Sequence, residues 1–106
     1  MGNKLFVVAG SPKIPRPDQP AAKLFEKPFR RVKITFAKPT GYLRAAVMRK
    51  LDDGPWVTIA RDVAGVGEIV DADPPRSGSV QYRIVYLDES HQWGPPSESV
   101  LLDLGR

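Results

Sequence analysis

The sequence predicts an all-β domain, a sandwich of two packed antiparallel sheets. Three observations lead there. From Arg30 onward, apolar residues recur at every second position in successive short segments, as a strand buried on one face requires. Glycine, proline and aspartate punctuate those segments at short intervals. No stretch keeps the 3.6-residue period of a long helix. With 106 residues the chain is near the commonest domain size and can bury one modest core.

Before Arg30 the pattern differs. Residues 3–9 contain the apolar run Leu5-Phe6-Val7-Val8, enough for one short strand or a docking plug. SPKIPRPDQP, residues 11–20, holds four prolines, which fix φ, remove amide donors and favour polyproline II. Residues 21–29, AAKLFEKPF, either begin a helical turn that Pro28 stops or supply the first strand. The expected division is therefore a proline-rich basic arm over 1–29 and a β-sandwich over 30–106.

The strand segments follow in order. RVKITF places Val32, Ile34 and Phe36 on one face. YLRAAVMRK places Leu43, Ala45 and Val47 inward and Arg44 and Lys50 outward. LDDGPW contains Asp53-Gly54, a hairpin signal because both residues tolerate positive φ. PWVTIAR returns from that turn, and GVGEIVDA is ended by Pro74-Pro75. SVQYRIVYLD lines up Val80, Tyr82, Ile84 and Tyr86, and SESVLLDL offers Val100, Leu102 and Leu104.

Composition removes several chemistries. There is no cysteine, so disulfides, thiolate catalysis and cysteine-bound metals are excluded, and His91 is the single histidine. No run approaches the ~20 apolar residues that span a bilayer. The opening residues fit neither a signal peptide nor a myristoylation site. The acid pairs Asp71/Asp73 and Asp88/Glu89 sit beside turns, where aspartate is favoured for its own backbone bonding. No nucleophile elbow or phosphate-cradling glycine pattern is present. The expectation is a non-enzyme with no cofactor and no metal.

Charge is segregated along the chain. Residues 1–50 carry twelve Lys and Arg against two acids, whereas residues 51–106 carry four Arg against ten acids. Such a division favours docking on an acidic surface or head-to-tail self-association. Nucleic acid is the weaker expectation, because only Phe25 and Phe29 interleave with the basic residues and no recognition motif appears.

From Arg30 to Leu104 the order of features resembles a fibronectin type III domain. The alternating strand before Pro39, AAVMRK running through DDGPW, GEIVDADPP, YRIVYLD and WGPPSESVLL match that family's pattern in sequence. An immunoglobulin-like sandwich of different topology is the alternative fold. The resemblance implies that Tyr82 is a tyrosine corner, its ring in the core and its hydroxyl bonded to loop backbone. It departs from the family in having Phe36 where a Trp is usual. Trp56 is expected to pack over the core or rim. Trp93, in a loop, either anchors an interface or stacks on the prolines that follow it.

By fold-level analogy, the resemblance implies a small structural protein of a bacteriophage virion, such as a capsid decoration or head–tail accessory subunit. Its expected partners are major capsid or other virion protein subunits, including its own copies as a homo-oligomer, with assembly in the host cytoplasm. The alternative is a carbohydrate- or protein-binding accessory module of a secreted bacterial enzyme. The candidate partner-binding residues are Phe6, Lys13, Arg16, Arg30, Arg31 and Trp93.

Overall fold

A computed structural model describes residues 14–105. Seven strands, β1 (Ala21–Phe25), β2 (Arg31–Thr35), β3 (Arg44–Leu51), β4 (Trp56–Val63), β5 (Glu68–Asp71), β6 (Ser79–Leu87) and β7 (Val100–Asp103), form two sheets. One is ordered β1-β2-β5 and the other β4-β3-β6-β7, and every strand pairing is antiparallel. The β-sandwich expected from sequence is present.

The inner faces make the core by alternation. Val32 and Ile34 from β2 meet Ala45 and Val47 from β3 and Val80, Tyr82 and Ile84 from β6, all fully buried. Each large apolar side chain so enclosed contributes roughly 1.5–3 kcal/mol. Phe36, Val100, Leu102 and Leu104 pack against the same cluster, as their spacing predicts.

Two sequence expectations are corrected here. The boundary at residues 29 and 30 falls inside the sandwich. Ala21–Phe25 is the first strand, registered on β2 from Ala21↔Thr35 to Phe25↔Arg31, with Ala22 and Leu24 against the core. The described part of the proline segment also lies on the body. Ile14 packs against the core cluster, Pro17 and Pro20 are buried, and Gln19 Nε2 donates to the Ser99 carbonyl at 2.8 Å. Over residues 14–29 the chain is therefore not a free arm, because its spaced apolar residues find a surface to cover. The proposed strand or plug at residues 3–9 lies outside the described residues.

The β3–β4 hairpin forms as expected, yet its strained residue is Asp52 (φ 46°), with Gly54 N donating to the Leu51 carbonyl at 2.7 Å. Aspartate tolerates the left-handed region. Here its carboxylate also accepts from the Ser79 amide at 2.9 Å, tying the turn to the start of β6.

Candidate functional site

The outer face of the three-stranded sheet gathers the basic residues that sequence order left scattered. In β1, Ala22 and Leu24 point inward, so Lys23 and Phe25 point outward. In β2, buried Val32 and Ile34 likewise leave Arg31 and Lys33 outside. The register sets Lys23 opposite Lys33 and Phe25 opposite Arg31. Three cations consequently converge on one ring. Arg31 Cζ lies 4.8 Å, Lys23 Nζ 5.3 Å and Lys33 Nζ 5.8 Å from the Phe25 centroid. Arg31 also stacks on Phe29, 5.0 Å away, whose side chain is 53% exposed at the loop after β1. A cation over an aromatic face is stabilised by the ring quadrupole.

Hydrogen bonds fix Arg31 in this position. Its Nη1 donates to the carbonyls of Lys27 and Phe29, both at 2.9 Å, holding the guanidinium between the two rings. Glu68 lies 3.6 Å from Lys33, while Lys23 and Arg31 have no carboxylate partner among the described residues. Val70, directly across from Lys33 on β5, adds an exposed apolar side chain to the face.

The residues singled out from sequence distribute unevenly around this face. Arg31 is at its centre. Arg30 points elsewhere and is internally engaged. Its Nη1 donates to the carbonyls of Pro74 (3.2 Å) and Pro75 (2.8 Å), and its Nε lies 3.7 Å from Glu26. That geometry makes Arg30 a clamp on the β5–β6 loop. Arg16 is exposed in the segment before β1. Phe6 and Lys13 lie outside the described residues. Trp93 forms an isolated bridge with Leu87, is 38% exposed, and has Arg61 above its ring at 5.8 Å. Trp56 at the start of edge strand β4 is half-buried under Arg83, 4.2 Å away. Lys23, Lys33 and Phe25 were missed as site residues. The signal available was their odd-position spacing, which becomes legible once β1 is recognised as a strand.

Two concavities on the described surface are small. One, of about 240 Å³, is lined by Arg30, Ala72, Asp73, Pro74 and Arg76. Another, of about 190 Å³, is lined by Tyr42, Arg44, Asp62, Asp88, Glu89 and His91. Both fall below the ~300 Å³ at which small-molecule sites begin. In the second, Asp88 Oδ1 already accepts from the amides of Ser90 and Gln92, and His91 Nδ1 stands 3.6 Å from Asp62. Among the described residues no group of three or more His, Asp or Glu is placed to hold a metal.

No protein-family model and no curated protein matches the sequence. Solved structures do match in fold. The chain is similar to an Fn3-like protein from Clostridium thermocellum at 18% identity and TM-score 0.69, covering 82% of this chain and 88% of that one. The fibronectin type-III domain of human fibronectin type III domain containing protein 3 gives 14% identity and TM-score 0.65, with coverage of 91% and 90%. Pectate lyase PelI from Erwinia chrysanthemi, solved in complex with tetragalacturonic acid, is similar at 19% identity and TM-score 0.58 over 78% of this chain but only 28% of the lyase.

Proposed function

The protein has the fibronectin type III fold, and from that premise we propose that it is a non-catalytic interaction module that docks on an acidic macromolecule through the outer face of β1 and β2. Among the similar structures the fold takes up most of one chain, the Fn3-like protein, and a minor part of another, the pectate lyase. The observation that carries the reading is the convergence of Lys23, Arg31 and Lys33 on Phe25. Like charges this close repel one another, and an anionic partner relieves that repulsion.

Two settings give such a module its partner. The accessory-module setting is supported by the similarity to a segment of the pectate lyase chain. The virion setting, a capsid decoration or head–tail accessory subunit, rests on the segregated charge of the chain and on fold analogy. Neighbouring reading frames separate them: structural virion genes favour one, a fused or adjacent hydrolase the other.

The docking face is tested by affinity capture from the native source, comparing the wild-type chain with a Lys23→Glu, Lys33→Glu variant. The expected outcome is an acidic partner held at low salt, released as salt rises, and lost from the variant. Retention that is indifferent to both salt and variant overturns the reading.

A further inference from the structure

The cationic face also carries the outline of its ligand: we propose that it binds an extended peptide bearing two carboxylates separated by one residue, an inference that rests on the docking role above. Alternate residues along a strand are about 7 Å apart and face the same side. Arg31 and Lys33 are such a pair on β2, and Lys23 stands directly across from Lys33. An extended chain with acids at alternate positions has the same repeat, so both carboxylates reach the face while the residue between them points away.

The two cation positions offer different chemistry. Arg31 spends Nη1 on the Lys27 and Phe29 carbonyls. Its Nε–Nη2 edge has no hydrogen-bond partner among the described residues, and that edge matches a carboxylate in bidentate fashion. Lys23 and Lys33 stand opposite each other with Cβ atoms about 5 Å apart. Lys33 already has Glu68 at 3.6 Å, so Lys23 is the principal seat for the second carboxylate, with Lys33 beside it. Beside Arg31, the exposed ring of Phe29 accepts an apolar side chain that follows the acidic pair.

The same geometry disfavours a single-stranded nucleic acid. Base stacking needs an open aromatic face. Three cations are already gathered on Phe25, so Phe29 alone keeps an open face, short of the successive rings on which a single strand stacks. What the face presents outward is donors over an apolar floor, which suits carboxylates.

The test titrates the full chain, followed by amide and side-chain NMR, with a synthetic peptide containing Glu-Thr-Glu-Phe in a glycine-serine frame. Controls are the same composition with the two glutamates adjacent and a thymidine oligonucleotide. Shifts are expected at Lys23, Phe25, Phe29, Arg31 and Lys33, with weaker binding of the adjacent-glutamate control. Lys23→Gln and Lys33→Gln are each expected to weaken binding about two- to five-fold, as for exposed ion pairs. Both substitutions are at partly exposed positions and leave the core intact. Equal binding of the two peptides, shifts centred elsewhere, or tighter binding of the oligonucleotide overturns the inference. If the peptide fails while the native partner is still captured through Lys23 and Lys33, the docking role stands and the ligand assignment alone falls.

Discussion

The Tyr82 hydroxyl donates to Oδ2 of Asp71 at 2.7 Å, joining the middle of β6 to the end of β5 inside the sandwich. A tyrosine corner would send that hydroxyl to loop backbone. Here the backbone acceptor is used by Tyr86 instead, which donates to the Ala37 carbonyl at 2.9 Å. Asp71 is buried and also accepts from Arg49 Nη1 at 2.9 Å and from the Asp73 amide at 3.2 Å. Tyr82→Phe removes one donor from a carboxylate that keeps the others. The expected loss is about 1–3 kcal/mol, read from denaturant unfolding. Asp71→Ala is expected to cost more, because it strands both the hydroxyl and the guanidinium.

Alkaline pH tests the same contact. Burial, then the hydrogen bond to Asp71 and its negative charge, push the Tyr82 phenol far above its ordinary value near 10. The folded state thus holds the neutral phenol while the unfolded chain ionises first. That contribution to stability is complete below about pH 10 and is lost progressively above it. Tyr86 is raised in the same direction, chiefly by burial. Unfolding free energy is expected to be insensitive to these groups at neutral pH and to fall above about pH 10. The fall should be shallower in Tyr82→Phe, and the Tyr82 share of the phenolate absorbance, taken as wild type minus Tyr82→Phe, should appear only as the fold is lost.

How much of this was legible beforehand divides along physical lines. Strand β2 and the first half of β6 were readable because their apolar residues alternate, so that a one-residue slip would expose the whole set, whereas β3 and β4 were delimited by the Asp53-Gly54 turn between them. Strand β1 was ambiguous, since five residues with Ala22 and Leu24 as the inward pair fit a helical turn almost as well. Arg31 was visible as a basic residue on a strand. Its convergence with Lys23 and Lys33 on Phe25 was not, because it depends on antiparallel register between β1 and β2. Arg30 looked equivalent to Arg31 in sequence; pleating sends it to the carbonyls of Pro74 and Pro75. The partner of Tyr82 was hidden for a similar reason, as only the packing of two sheets brings Asp71 to it.

Packing of the segment before β1 gives a third prediction. A Cβ on Gly94 would overlap Cγ2 of Ile14 and come within 2.8 Å of its Cβ, so the close approach requires glycine. Gly94→Ala is expected to push residues 14–20 off the body and cost about 1–3 kcal/mol, as overpacking does. Ile14→Ala removes Cγ2 from that overlap, leaving only the Cβ contact, and loses apolar cover at a half-buried position, for about 1–2 kcal/mol. In the double variant the two losses should not add, since each acts on the same contact. Thermal unfolding of the four chains checks this.

On the proposed docking role, Lys23 is a charge that the fold alone would not choose. It lies directly across from Lys33, and both, with Arg31, sit within 6 Å of the Phe25 centroid. Like charges facing each other across strands are destabilising. Lys23→Glu replaces that repulsion with attraction to Lys33 and Arg31. It is expected to stabilise the fold by about 0.2–1 kcal/mol at low salt while abolishing docking on an acidic partner. The gain should shrink as salt is added, because the charges are exposed and screened within about 8 Å at physiological ionic strength. Paired measurements of unfolding and partner binding at two salt concentrations test both halves. A destabilised variant would mean that Lys23 serves the fold, and an unchanged affinity would remove this face from the interface.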